Sequence, residues 1–438
     1  MNVTLAQTIV DRLSLAQNSS FGDGIWSSFK EADWNETFTW LDLSGLALYL
    51  RDRLERTNSL GLVPCHVRER LDRCQAGNRL RVQAMTDEFK TLNEMFNSGS
   101  IENLVLKGFS MFPDYCADPA LRTQYDYDFL IRSDSLNRTE ALFQTAGYRT
   151  GSVSGHAIVY RRPECDVNLP LDFVGYYSPQ LGRSIELHHK LWESVEDRIE
   201  IDLGHDLFEH AVRRRWNGVG YLSLSDEDAL VFQVLHAFRH ILRNWCRLSV
   251  FLEIAYFLNR RSSDLPFWTR FADRISRLRW VPEATMVVFT LAELLFSATI
   301  AEEIKKQLTP ARYPVLALWS ERYGKRSALA NFRNDKYSLF LYREFVEDSV
   351  AWAGIRRQRL FPIQRPHRLP PAVFQRRYSR LVRSCMNCWY ALRRVNFHAV
   401  SLFRYAREYP RWKRLRLHRS GRVLTSRYAQ AQSSPGDS

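Results

Sequence analysis

One short stretch constrains the fold more than any other part of this 438-residue chain: Asp126 to Ile131, which reads Asp-Tyr-Asp-Phe-Leu-Ile. Its apolar half predicts a buried strand, and successive side chains on a strand point to opposite faces. Asp126 and Asp128 therefore share one face, whereas Tyr127, Phe129 and Ile131 point into a core. Two neighbouring carboxylates repel each other, and burying them without a partner is costly. A divalent cation relieves that repulsion, and Mg²⁺ prefers carboxylate oxygens together with substrate phosphates.

The residues before this strand favour a metal and phosphate site, although alternating acids alone are more typical of an exposed strand face. An apolar segment over residues 103–106 predicts a first strand, and Lys107-Gly108 follows it at once. Lysine supplies a cation, and glycine supplies a turn that a triphosphate can approach closely. Arg122 lies four residues before Asp126, where its guanidinium is suited to phosphate oxygens. This order of groups predicts a phosphate site beside the two carboxylates.

Two further motifs complete the pattern. A helix predicted after the Asp strand closes with Ala146-Gly147-Tyr148, and a later strand reads Glu186-Leu187-His188. With the Lys-Gly turn, the arginine and the Asp-x-Asp strand, they make residues 85–260 resemble a known family. It is the uncharacterised bacterial nucleotidyltransferase family of the DNA polymerase β-like nucleotidyltransferase superfamily. The wider superfamily has a Gly-Ser turn, whereas here Phe109 follows the glycine and Ser110 comes one place later.

The resemblance implies an α/β fold of the α+β kind, with a small mixed-sheet nucleotidyltransferase core and flanking helical regions. It also implies Mg²⁺-dependent transfer of a nucleoside monophosphate from an NTP to an acceptor that the sequence does not identify. The catalytic and metal-binding carboxylates would be Asp126, Asp128 and Glu186. The residues that would bind the nucleotide are Lys107, Gly108, Ser110, Arg122 and His188.

The third carboxylate and the role of His188 each have an alternative. A second candidate strand, Leu169 to Val174, carries Asp172, and reasoning from the residues alone does not separate this acid from Glu186 as the third carboxylate. His188 faces the same way as Glu186, because the two residues are two apart on one strand. It is either a structural histidine or a contact to the nucleotide.

A later helix, Ala229 to about Asn244, offers a second pair of histidines. His236 and His240 are four residues apart, so they share a helix face. They are suited to a metal site, to contact with the active-site cleft or to a structural role, and the sequence shows no third metal ligand. Glu253, in the next predicted helix, is either solvated or paired with an arginine.

The patterns along the chain predict four regions: an N-terminal helical region (1–77), the nucleotidyltransferase core (78–200), a helical domain (201–345) and a basic C-terminal helical region with a disordered tail (346–438). Within the core, apolar spacing predicts helices over residues 78–97 and 136–146 and a hairpin over residues 148–160. Residues 200–345 are predicted to be helical throughout.

Composition limits the cellular setting. The chain carries 62 basic and 48 acidic residues, and its net charge of +14 favours polyanionic partners. Its seven cysteines show no paired framework, which is typical of the reducing cytoplasm. We also expect no signal peptide, because the first residues show no basic region followed by an apolar run. We expect no membrane span, because no stretch of about 18 uncharged apolar residues occurs.

The positive charge is concentrated near the C-terminus, where Glu408 is the single acid between Arg356 and Arg427. We predict a helix over residues 378–405 and, after Pro410, a basic tail that buries little. This region is suited to RNA, DNA or an anionic lipid surface, or it is a solvated helix. Two rival functions follow: a catalytically inactive nucleotidyltransferase fold that acts through this region, and a nucleic-acid-binding protein whose Asp-x-Asp motif is incidental.

Overall fold

The computed structural model describes residues 1–16, 23–163, 176–204, 206–330, 335–361 and 380–432. The candidate strand over residues 169–174, and with it Asp172, lies outside these ranges. The helices that precede the sheet are α1 (Val3–Arg12), α2 (Glu31–Leu43), α3 (Ala47–Arg56) and α4 (Cys65–Ser98). The predicted helix over residues 78–97 is thus the second half of a longer helix, α4.

Within the described residues, the sheet has seven strands. They are β1 (Asn103–Val105), β2 (Asp126–Ile131), β3 (Arg149–Val153), β4 (Ala157–Arg161), β5 (Ser184–His188), β6 (Val212–Trp216) and β7 (Val219–Ser223). Their order is β3-β4-β5-β2-β1-β7-β6. The pairs β2–β5 and β1–β7 are parallel and the others are antiparallel, so the sheet is mixed. The predicted α/β class is therefore confirmed.

The two faces of β2 lie in different cores. Tyr127 and Phe129 pack in a small core with Phe89 and Phe96 from the second half of α4. Helix α5 (Leu136–Thr145) closes the same side with Phe143, which lies 5.7 Å from the Phe96 ring. Leu130 belongs to a larger core formed with the helices on the opposite face. The alternation predicted for this strand is thus confirmed, and the carboxylates lie on the face toward the larger core.

The prediction of helices throughout residues 200–345 is wrong for residues 212–223, which form the hairpin β6–β7. The turn residues Asn217 and Gly218 have φ values of 45° and 84°. Positive φ at both central residues is typical of a two-residue hairpin turn, and Asn-Gly is the sequence that favours it. The hairpin adds to the sheet beside β1, where Val105 pairs with Ser223.

Most of the remaining helices contribute to the larger core, which lies on the face of the sheet that carries the carboxylates. The remaining helices are α6 (Ser194–Asp197), α7 (Asp226–Leu242), α8 (Leu248–Arg260), α9 (Leu265–Ser276), α10 (Val281–Phe296), α11 (Glu302–Gln307), α12 (Pro314–Trp319), α13 (Lys325–Leu329), α14 (Ser338–Tyr342), α15 (Ser349–Leu360) and α16 (Arg380–Gln432). No helix in the described part of the chain is long and apolar enough to cross a lipid bilayer.

The expectation that the segment after Pro410 is a tail that buries little is also wrong, because α16 continues through this proline to Gln432. Trp412 is 3% exposed, and its ring stacks on Phe340 with centroids 5.4 Å apart. Tyr405 stacks on the same phenylalanine at 5.0 Å. These aromatic contacts offset the backbone hydrogen bond that a proline removes from a helix interior. Part of the basic C-terminal region is therefore anchored in the fold.

Candidate active site

The parallel strands β2 and β5 bring two carboxylates and one imidazole together. Asp128 and Glu186 are register partners, and His188 follows two residues later on the same face. The His188 Nε2 atom lies 3.2 Å from Asp128 Oδ1 and 3.6 Å from Glu186 Oε2. Ligand atoms of the three residues lie within 4.8 Å of one another, close enough to hold one metal ion.

Lys107 neutralises part of this cluster. It follows β1, the other neighbour of β2, and its Nζ atom lies 3.1 Å from Asp128 Oδ1. The ammonium group also lies 5.3 Å from the centre of the Phe232 ring on α7. Asp128 is 3% exposed, so without Lys107 and His188 its charge would be costly to bury.

The turn after Lys107 depends on glycine. Gly108 has a φ of +69°, and a Cβ atom there would overlap the side-chain amide of Gln124. That amide donates a 2.8 Å hydrogen bond to the backbone oxygen of Asp126, which ties the turn to the start of β2. Ser110 Oγ donates to the backbone oxygen of Lys107 at 3.3 Å, so this hydroxyl lies within the turn.

The three carboxyl groups have different acidities. Burial alone would raise the pKa of Asp128, but Lys107 and His188 outweigh burial and lower it. Burial and the charge of Asp128 raise the pKa of Glu186 to about 7. The pKa of Asp126 is raised as well, first by burial and then by the negative charge of Asp128. Asp128 is thus held ionised, whereas Asp126 and Glu186 bind protons more readily.

Asp126 lies beside this candidate metal group rather than within it. It is the first residue of β2 and pairs with Ser184, and its side chain is half-buried. The positive charges of Lys107, Arg122 and Arg247 lower the pKa of Asp126, but the effects of burial and of Asp128 are larger, so the pKa stays above its usual value. The sequence pattern did not identify Arg247, which precedes α8 and donates to the backbone oxygen of Thr123. These three cations give the site a positive environment suited to phosphates.

Arg122 is itself held by an ion pair. Its Nε atom lies 3.3 Å from Glu253 Oε2, and the Glu253 side chain is 1% exposed. The hydroxyl of Tyr49 on α3 donates to the other oxygen of this carboxylate at 3.2 Å. The alternative in which Glu253 pairs with an arginine is confirmed. In the described structure, Arg122 therefore acts on the site through its charge while its Nε atom is bound to Glu253.

Helix α7 presents His236 and His240 toward the cations of the site. Their rings lie 4.4 Å apart. Burial, followed by the positive charge of Lys107, lowers the pKa of both, to about 3 for His240. Neutral imidazoles are therefore expected at neutral pH. Within the described ranges, the Nδ1 atoms of His188 and His240 are buried without a hydrogen-bond partner. Neither α7 histidine joins a group suited to a metal among these residues.

A charged network that the sequence analysis missed lies behind His188. The His156 ring lies 5.6 Å from that of His188, and its Nδ1 atom is 2.8 Å from Glu193 Oε2. Arg239 on α7 contacts the other ring nitrogen of His156 at 3.2 Å and binds Asp197 at 2.9 Å. The only sequence signal for His156 was its place directly before a predicted strand.

The donor set fits a divalent cation. Asp128 and Glu186 offer the carboxylate oxygens that Mg²⁺ prefers, and an imidazole nitrogen extends the range to softer metals. Asp128 and Glu186 repel each other when both are ionised, and this repulsion helps to raise the pKa of Glu186 to about 7. A bound cation would remove the repulsion.

Comparison with known proteins gives one match. A family model described as "Uncharacterised nucleotidyltransferase" covers residues 30–297, which is more than half of the chain. Comparisons with curated proteins and with solved structures give no match. The matched range includes β1 to β7 and the side chains from Lys107 to Glu253 that form the site. The chain belongs to this uncharacterised nucleotidyltransferase family.

Proposed function

We propose that the protein transfers a nucleoside monophosphate from an NTP to an acceptor hydroxyl or phosphate, with Mg²⁺ as cofactor. Family membership supports the reaction class. The observation that carries the finer proposal is the group formed by Asp128, Glu186 and His188, with Lys107 against it. The motif order also favours the DNA polymerase β-like superfamily, and the reaction is expected in the cytoplasm.

Asp128 would hold the metal together with Asp126, which lies beside it on β2, and Glu186 would either complete a second metal position or act as the base. When bound, Mg²⁺ supplies positive charge that stabilises the phosphate oxygens of the nucleotide. Lys107 would exchange its contact with Asp128 for a contact with the triphosphate, and the tight turn at Gly108 would let the backbone approach the same phosphates. Arg122 and Arg247 would add long-range positive charge, because both already act on Asp126.

The acceptor oxygen would attack the α-phosphorus, and the bond from that phosphorus to the pyrophosphate oxygen would break. A hydroxyl acceptor must also lose its proton. Glu186 is the candidate base, because its pKa of about 7 in the metal-free protein suits a proton acceptor near neutral pH. Its alternative role is to complete a second metal position. His188 would orient Asp128 through the 3.2 Å contact or touch the nucleotide.

A second candidate function is a catalytically inactive fold that binds polyanions through its basic C-terminal region. The observation that favours it is the exposure of Arg404, Arg407 and Arg411 on α16. Isothermal titration with ATP and Mg²⁺ separates the candidates when wild type is compared with Lys107→Ala, because heat from the nucleotide site should fall in this variant and heat from the basic region should not.

The direct test of the catalytic proposal is incubation with each of four α-labelled NTPs, Mg²⁺ and a cell extract that supplies acceptors. Wild-type protein should transfer label to an acceptor, and the Asp128→Asn variant should not. The exposed acid Asp134 provides a matched control, since Asp134→Asn should transfer label normally. Equal transfer by wild type and Asp128→Asn would reject the metal mechanism.

A further inference from the structure

Helix α16 has a packed face and an apolar outer face. Ser401, Tyr405 and Trp412 are buried against the body of the protein. At 100° per residue, the opposite side carries large apolar side chains that are mostly exposed. They are Trp389 (60% exposed), Leu392 (64%), Val395 (55%), Phe403 (68%) and Leu417 (61%). These side chains form a broad row, about 120° wide, and exposed apolar side chains grouped in this way are typical of an interaction surface.

Arginines lie beside this row and, at Arg407, within it. Arg393 lies over the Trp389 ring, with its Cζ atom 5.2 Å from the ring centre. Arg404, Arg407 and Arg411 are exposed along the helix, and none of the three has an ion pair within the described residues. The single acid of α16, Glu408, is already bound by Arg322 and Tyr323. The outer face therefore combines exposed apolar groups with uncompensated positive charge.

A cavity of about 560 Å³ lies where this face meets the body of the protein. It is lined by Phe403, Arg404, Arg407 and Glu408 from α16 and by Arg326 and Tyr337 from the body. Arg322 already binds Glu408 and Asp335 already binds Arg326, so the charges open to an anion are those of Arg404 and Arg407. An anionic group within it would meet guanidinium groups suited to phosphate oxygens. The apolar edge formed by Phe403 lies directly beside these charges.

We propose that the outer face of α16 docks on an anionic phospholipid bilayer. The helix would lie in the plane of the interface, with Leu392 and Phe403 among the acyl chains and the arginines at the lipid phosphates. Nucleic acid offers no partner for the exposed aliphatic groups of Leu392, Val395 and Leu417. A second copy of the chain would bring two arginine-rich faces together, which like-charge repulsion opposes. This surface is separate from the proposed transfer reaction and does not depend on it.

The test uses the full-length protein in sedimentation with two kinds of vesicle: phosphatidylcholine alone, and phosphatidylcholine mixed with phosphatidylglycerol. Wild-type protein should bind the mixed vesicles, and binding should weaken with added salt. The Leu392→Ser/Phe403→Ser variant should lower the partition coefficient by roughly tenfold or more, because it removes two apolar side chains that would insert among the acyl chains. The Arg404→Gln/Arg407→Gln/Arg411→Gln variant should lower it by roughly a hundredfold.

Matched controls carry the same changes elsewhere on the exposed surface. Leu80→Ser/Leu265→Ser, on α4 and α9, and Arg68→Gln/Arg277→Gln/Arg312→Gln should bind vesicles as wild type does. Circular dichroism checks that each variant is folded. The proposal is overturned by absent binding to the mixed vesicles, or by wild-type binding of the Leu392→Ser/Phe403→Ser variant. It is also overturned if the arginine variant loses binding to single-stranded RNA while its vesicle binding is unchanged.

Discussion

Asp128 and Glu186 are direct partners across two parallel strands, and their pKa values are shifted in opposite directions. The difference follows from their neighbours. Lys107 and His188 contact the Asp128 carboxylate and favour its charged form, whereas Glu186 is partly buried beside two other acids. Two carboxylates with such different acidities are suited to different roles, one as a permanent anion and the other as a proton acceptor.

The first prediction concerns the permanent anion. Asp128→Asn keeps the shape of the side chain but removes the charge shared by the proposed metal and Lys107. Nucleotidyl transfer should fall by orders of magnitude, and the free energy of unfolding should fall by about 1–3 kcal/mol, because Lys107 loses its buried partner. Label transfer and urea unfolding measure the two effects, with Asp134→Asn as the control.

The second prediction concerns phosphate binding by Lys107. Lys107→Ala should weaken the affinity for ATP and Mg²⁺ by roughly tenfold to a hundredfold, as expected for the loss of one charge-assisted contact. The rate at saturating NTP should fall only to the extent that Lys107 stabilises the transition state more than the bound NTP in its ground state. Titration calorimetry measures the affinity. Lys305→Ala, at an exposed lysine on α11, should bind as wild type does, and an unchanged affinity in Lys107→Ala would contradict the assignment.

The third prediction is a pH dependence of stability. The pKa of Glu186 is raised from 4.5 to about 7, so the folded metal-free protein holds a proton that the unfolded chain has released. The free energy of unfolding should therefore fall as the pH rises from about 4.5 to about 7. The contribution should be on the order of 1–3 kcal/mol, reduced by solvent because the side chain is partly exposed.

Urea unfolding across this pH range tests the assignment to Glu186. Glu186→Gln should flatten that part of the profile, whereas Glu94→Gln, at an exposed position on α4, should not. Mg²⁺ should restore stability more strongly above pH 7 than below it, because protonated Glu186 is a poor ligand. A profile unchanged by Glu186→Gln would assign the slope to another group.

The fourth prediction concerns the turn at Gly108. Gly108→Ala places a Cβ atom at a φ of +69° against the Gln124 amide. The free energy of unfolding should fall by about 1–3 kcal/mol, and NTP affinity should fall because the turn must shift. Gly61→Ala is the matched control, since a Cβ atom there meets open space. Thermal unfolding and titration with ATP give the two readouts.

The fifth prediction distinguishes two tryptophans of α16. Trp412 is buried on Phe340, so Trp412→Ala should lower the free energy of unfolding by about 3–5 kcal/mol. Trp389 is 60% exposed, so Trp389→Ala should have little effect. Equal stability of the two variants in urea would show that α16 is not anchored by Trp412.

Part of the candidate site followed from a local pattern and part from the family resemblance. Alternation placed Asp126 and Asp128 on one face of a strand, whereas Glu186 and His188 came from the acid-Leu-His strand of the family, because the residues alone did not separate Glu186 from Asp172. The contact between Arg122 and Glu253 could not be predicted, because these residues are 131 positions apart and meet only through tertiary packing. The hairpin β6–β7 was not predicted, because three consecutive arginines in β6 interrupt the alternation of apolar and polar residues that indicates a strand. The turn sequence Asn217-Gly218 was nevertheless a hairpin signal. The four-region division of the chain remains a prediction for limited proteolysis.

Helix α4 has a mechanical consequence. Its 34 residues correspond to a rod of about 50 Å. Near its start, Val67 and Leu71 pack in the larger core, and near its end, Phe89 and Phe96 pack in the smaller core. A hinge between the two cores would have to bend this continuous rod. We therefore expect substrate to enter by local movement of side chains around the partly exposed Glu186, with the two cores moving together as one piece.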